Sequence, residues 1–204
     1  MKKLIKDQIK ILFEESIKAK EECIIQGFDS IYLMGEKIAD AIENGNKMML
    51  CGNGGSAADA QHLAAEMLIR LRPQNNRRGI PAISLAQDTS TITACGNDFG
   101  YDYLFSRTLE SIGQKGDCLI VISTSGNSKN IILAMQSAKK MGIKVFGFLG
   151  SDGGDAKALC DISFIVPSDV TGRIQECHIT AGHALMEFVE DSLLHSGYLE
   201  IYKK

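Results

Sequence analysis

Apolar residues in the first quarter of the chain recur at helical spacing. Ile5, Ile9, Leu12, Phe13, Ile17 and Ile24 fall at steps of three, four and seven and predict a long amphipathic helix over residues 4 to 24. Gly27 breaks it. Asp29 or Ser30 can cap a second helix, whose stripe of Ile31, Met34, Ile38 and Ile42 runs until Gly45. From Lys47 the rhythm shortens to compact apolar runs closed by polar or glycine-rich turns: MMLCG, IPAISLA, DCLIVIS, KVFGFLG and ISFIVP. Each is a candidate buried strand. Helix-length segments lie between them at about 56 to 72, 89 to 112, 127 to 141 and 153 to 159, with a last one at about 173 to 195. Strands alternating with helices predict an α/β fold, a doubly wound five-stranded parallel sheet flanked by helices. The expected organisation is one domain over 1 to 204, with a helical pair at 1 to 45 and an α/β core at 46 to 195. No linker, low-complexity tract or internal repeat interrupts it.

Composition narrows the partners. A chain of 204 residues that is 45% hydrophobic and 23% charged has enough length for one good core. A net charge of -3 gives no basic excess, so neither nucleic acid nor an anionic membrane is an expected partner. Any anion must be held locally. The six cysteines include no C-x-x-C pair and sit in apolar or helical runs, which suits reduced thiols and the cytoplasm. The start, MKKLIKDQIKILFEE, is positive like a signal peptide, but Lys6, Asp7, Lys10 and Glu14 interrupt any apolar segment. No later stretch approaches a membrane span.

In a doubly wound sheet, ligands bind beyond the carboxyl ends of the strands. Two loops there are unusual. Gly52-Asn53-Gly54-Gly55-Ser56 leads into a helix, with Ser56 at the expected N-cap and Asp59 completing an S-x-x-D pattern. Ser123-Thr124-Ser125-Gly126-Asn127-Ser128 closes the most hydrophobic strand with four hydroxyls in six residues. Glycines let backbone N–H groups approach a ligand, and a helix N-terminus with hydroxyl donors binds an anion without a lysine. Either loop alone is also an ordinary turn. Together they predict a phosphate monoester site. Gly52, Gly54 and Ala57 match a loose dinucleotide fingerprint, but the acidic residue it requires about 20 residues on is displaced, since Asp88 comes 36 residues after Gly52. A Walker loop is excluded because no Gly-Lys-Ser/Thr follows either turn.

His62 and Glu66, four apart, share a helix face close to the first loop. Such a pair can bind a metal or divide acid and base work, but on spacing alone a surface hydrogen bond between neighbours is the favoured reading. The last helix carries Arg173, Gln175, Glu176, His178 and His183 among apolar residues. Gln175 and His183, eight apart, lie broadly on one side; His178 competes with His183, and periodicity does not choose between them.

These residues together resemble a known family. CGNGGS followed by His and Glu four apart, GNDFG at 96 to 100, STSGNS at 123 to 128 and RIQE-x-H-I-x-x-x-H at 173 to 183 are similar to the sedoheptulose 7-phosphate (phosphoheptose) isomerases of the sugar isomerase (SIS) fold. The resemblance spans nearly the whole chain, with the motifs in order. It implies that Asn53, Gly54, Gly55, Ser56, Ser123, Thr124, Ser125 and Ser128 hold the sugar phosphate. Asn97 and Asp98 would reach the substrate from a neighbouring subunit, and Arg70 and Gln175 would complete the substrate set. It selects His183 over His178, makes Glu66 and His183 the catalytic acid/base pair, and implies one Zn2+ held by His62, Glu66, Gln175 and His183. It further implies a homotetramer assembled through the two N-terminal helices.

The activity so implied is conversion of sedoheptulose 7-phosphate to D-glycero-D-manno-heptose 7-phosphate through an enediol, the first step towards ADP-heptose and the heptose of lipopolysaccharide core. A close relative within the same fold binds the replication initiator DnaA, and its SAA-x-AQH stretch is similar to SAADAQH here. A non-catalytic DnaA-binding protein is therefore the alternative reading. A sugar-phosphate sensor fused to a DNA-binding unit is disfavoured, because no helix-turn-helix or basic patch is present. Residues 71 to 79, LRPQNNRRG, depart from the family pattern and carry no recognised motif.

Overall fold

The computed structural model describes residues 2–86 and 88–202. Two helices, α1 (Lys2–Gln26) and α2 (Asp29–Glu43), precede the sheet. The elements β1 (Met48–Gly52), α3 (Gly55–Leu68), β2 (Ala82–Ser84), α4 (Thr89–Asp98), α5 (Leu104–Ile112) and β3 (Cys118–Ser123) follow. The chain continues through α6 (Lys129–Met141), β4 (Lys144–Gly150), β5 (Ile162–Val166) and α7 (Thr171–His195). All strand pairings are parallel, in the order β2-β1-β3-β4-β5. The five apolar runs become the five strands: the central three, β1, β3 and β4, are buried on both faces and need no polar alternation, while the edge strands β2 and β5 are partly buried.

Alternate residues of the central strands feed two cores. Met48, Leu50, Ile120, Ile122, Phe146 and Phe148 pack with α1, α2, α3 and α7. Met49, Cys51, Leu119, Val121, Val145 and Leu149 pack with α4, α5 and α6. The two connections leaving β1 and β3 therefore depart to opposite faces, and the crevice between them is the topological switch point where a ligand is expected. At the other end of the sheet, fully buried Asp117 accepts from the backbone N–H groups of Lys47 (2.9 Å) and Gln114 (2.8 Å) and from Lys47 Nζ (2.6 Å).

Several local expectations are corrected. Phe28, not Asp29 or Ser30, is the residue preceding α2, and no side chain caps it. Ser56 is not an N-cap: Gly54 holds that position with φ 57°, a left-handed geometry that glycine adopts without strain, and Ser56 is buried within the first turn. The segment 89 to 112 is two helices, because Gly100 (φ 92°) turns the chain into a 3-10 turn at Tyr101–Tyr103. The segment 153 to 159 forms only a 3-10 turn at Lys157–Leu159. Helix α1 forms as expected, with its stripe outward: Phe13 is 70% exposed, Ile5, Ile9, Leu12, Ile17 and Ile24 are exposed too, and Ala19 and Cys23 are the residues that join the core.

Candidate active site

At the switch point, the first turns of α3 and α6 open onto a cleft of about 300 Å³. Asn53, Gly54, Gly55, Ser56, Ser123, Thr124, Ser128 and Gln175 line it, together with Ile122 and Thr171. Neither helix has a side-chain cap; Ser56 and Ala57 N–H donate to the Asn53 and Gly54 carbonyls and Ile131 N–H to Asn130 Oδ1, which leaves the N–H groups of Gly55, Lys129 and Asn130 for a ligand. No lysine or arginine lines the cleft; Lys129, the first residue of α6, instead pairs with Asp102 at 2.6 Å. Hydroxyls, the two amides of Asn53 and Gln175 and two positive helix ends suit a phosphate dianion here.

The cradle is held by groups the sequence reading missed. The side-chain amides of Asn53 and Asn130 bond reciprocally, each donating to the other's Oδ1 at 2.9 Å, and Tyr101 Oη donates to Asn53 Oδ1 at 2.7 Å. Asn130 is buried in the first turn of α6 and its partner lies in another element, so no local sequence pattern marks it. In the serine-rich loop, Ser123 Oγ accepts from Gly126 N–H at 3.1 Å, and Ser125 Oγ accepts from Asn127 N–H at 3.2 Å. Ser125 does not line the cleft. Gly126 (φ 65°) has no room for a side chain, since a Cβ there would lie 2.0 Å from the carbonyl oxygen of Gly153.

Helices α3 and α7 lie side by side from the cleft outward. A Cβ on Gly55 would meet Gln175 Nε2 at 2.6 Å, and one on Gly182 would meet Leu63 Cδ1 at 2.6 Å. This close approach joins the two halves of the proposed chemistry. His62 Nε2 stands 2.8 Å from His183 Nε2 and 3.5 Å from Glu66 Oε1, and the imidazoles meet edge to face. The Glu66 side chain is 20% exposed. Just inside, Asp59 Oδ2 is buried with no hydrogen-bond partner. Burial raises the pKa of Asp59, and neighbouring His62 and His183 oppose that.

Two imidazole nitrogens in contact need a proton or a cation between their lone pairs, and with a carboxylate beside them the donor chemistry fits zinc. Among the described residues no three His, Cys, Asp or Glu side chains are arrayed for a metal ion as they stand. Ligation requires the imidazoles to part, because nitrogens bound at about 2.0–2.1 Å to one tetrahedral zinc stand farther apart than this contact.

The other expected residues are dispersed. His178 is fully buried: its Nε2 lies 3.0 Å from the Leu149 carbonyl oxygen, its Nδ1 has no partner, and burial lowers its pKa to about 4. It is a core residue. Arg70 is exposed in the bend after α3 and donates to the Pro73 carbonyl at 3.2 Å. Asn97 and Asp98, exposed at the end of α4, bond to each other at 2.7 Å, and neither lines the cleft.

Comparison with known proteins agrees with this architecture. The SIS domain family matches residues 13–150. The chain is 48% identical to a phosphoheptose isomerase of Clostridium acetobutylicum over 95% of its own length and 96% of that protein. It is 52% identical to one of Nitratiruptor over 79% and 86% of the two chains. A solved phosphoheptose isomerase from Neisseria gonorrhoeae superposes with a TM-score of 0.86 at 38% identity, covering 92% of this chain and 99% of that one.

Proposed function

This chain belongs to the phosphoheptose isomerases of the SIS fold, and from that premise we propose that it converts sedoheptulose 7-phosphate to D-glycero-D-manno-heptose 7-phosphate, at the head of a route to ADP-heptose and lipopolysaccharide core. The observation that carries this reading is the contact of His62, Glu66 and His183 beside a cation-free phosphate cleft. The cradle fixes the phosphate, so that binding energy from the far end of the sugar orients C1 and C2. Glu66 takes a proton from C1 while His183 gives one to the C2 carbonyl oxygen, forming the enediol. Glu66 then returns its proton to C2 and the C1 hydroxyl gives its proton back to His183, leaving the aldehyde at C1. Zinc, which His62, Glu66, Gln175 and His183 would hold, supplies Lewis-acid polarisation of the substrate oxygen when bound.

We assign Arg70 to the substrate set, and Asn97 and Asp98 to the cleft of a neighbouring subunit in a homotetramer built on α1 and α2. Six free thiols, five of them buried, support a reducing compartment, the cytoplasm. No helix among the described residues is long and apolar enough to cross a membrane. The test is direct: incubate the protein with sedoheptulose 7-phosphate, with and without a chelator and added zinc, and follow the aldoheptose phosphate by NMR. Conversion is expected. No product under any metal condition would defeat this reading and leave DnaA binding as the function to assay.

A further inference from the structure

The segment 71 to 79, which carries no recognised motif, is built around buried charge. Glu190 on α7 and Arg77 are both buried, with side chains 2% and 1% exposed. Arg77 Nε donates to Glu190 Oε1, while Arg72 Nε and Asn75 Nδ2 donate to Glu190 Oε2 at 2.5 and 2.8 Å. These donors hold the carboxyl below its usual range against the cost of burial. The other edge of the Arg77 guanidinium reaches the end of α3: Nη1 donates to the Met67 carbonyl at 3.1 Å and Nη2 to the Glu66 carbonyl at 3.3 Å. Those carbonyls belong to the last turn of α3, where no intrahelical donor remains for them.

We infer that Arg77 and Glu190 are positioning residues for the isomerase reaction: their ion pair clamps the final turn of α3, and with it Glu66, to the helix that carries His183. The inference rests on the proposed role of Glu66. A surface pair would be a poor fastener, but this one is desolvated and planar, and its geometry is fixed by five N–H donors. Its placement has a specific kinetic consequence. The phosphate cradle is built on the first turn of α3, at the opposite end from the clamp. Loosening the last turn should therefore misplace the base while leaving the cradle in register.

The experiment compares Arg77→Met and the near-isosteric Glu190→Gln with the wild type on sedoheptulose 7-phosphate. Asp117→Asn, which breaks a buried carboxylate cluster at the far end of the sheet, serves as a control for general destabilisation. The clamp predicts a fall in kcat on the order of 10- to 100-fold with KM within about threefold of wild type. Amide exchange should rise in residues 64 to 80, and Asp117→Asn should keep its kcat. Should Arg77→Met fail to fold, Glu190→Gln alone decides. Wild-type kcat in the folded clamp variants, or an equal fall in Asp117→Asn, would overturn the clamp and leave the functional reading standing. A wild-type protein that isomerises nothing would overturn both.

Discussion

Glu66 and His62 by themselves are an ordinary neighbouring pair on a helix, worth about 0.5 kcal/mol or less. What sets them apart is His183, brought from a helix more than a hundred residues away to 2.8 Å from His62. If Glu66 is the base, Glu66→Gln keeps the side chain's size and hydrogen-bonding reach but cannot accept a proton. Turnover should fall by roughly 10²- to 10⁴-fold with substrate affinity retained. Metal content must be measured in the same variant, because loss of a ligand would mimic loss of the base. Near-normal turnover would return the pair to the helix surface. His178 makes a separate prediction. Its folded-state pKa is depressed to about 4, so between about pH 6.5 and 4 the unfolded chain binds a proton that the folded chain refuses. Stability is therefore retained above that window and lost on acidification, by up to roughly 3 kcal/mol at its acid end. Denaturant melts at pH 7 and pH 4.5 should show this loss in the wild type and less of it in His178→Gln; equal losses would refute it. Spacing could not separate His178 from His183, since both recur within the same apolar helix. The difference is tertiary: one meets the Leu149 carbonyl and the other meets α3.

The strands were readable because a parallel strand buried on both faces has a composition that nothing else in this chain shares. Boundaries that depend on a single left-handed residue were harder. At the start of α3 the S-x-x-D pattern pointed to Ser56, whereas the turn needs positive φ, which only the glycine at 54 provides cheaply. Between 89 and 112 the apolar spacing continues through a corner that Gly100 alone makes. The two loops that line the cleft could be found in advance because glycine and hydroxyl enrichment at a strand end has a direct chemical meaning. Asn130 and Tyr101, which aim Asn53, could not, because their partner lies in another element. Residues 71 to 79 showed no recognised motif for the same reason: Glu190, the residue that gives the segment meaning, is 113 positions from Arg77.

One face of the molecule remains unexplained by its own fold. Phe13, Ile17, Ile24 and Ile25 are all more than half exposed along α1, the kind of apolar patch that marks an interaction surface. Light scattering at micromolar concentration should give four times the chain mass, and Phe13→Glu with Ile17→Glu should reduce it; a wild-type monomer would refute the assembly. The length of α3 carries a consequence at the same scale. Ser56 borders the phosphate cleft and Glu66 faces His62, ten residues further along the same helix, a rise of about 15 Å. On the proposed reaction the helix would act as a ruler, with the anchor at one end and the reacting group at the other, and would select sugars by length. A pentose phosphate gripped by the same anchor would stop two carbons short of the carboxylate. It should occupy the cleft as an inhibitor and leave it unchanged, and its conversion at a rate near that of the heptose would show that the ruler does not measure.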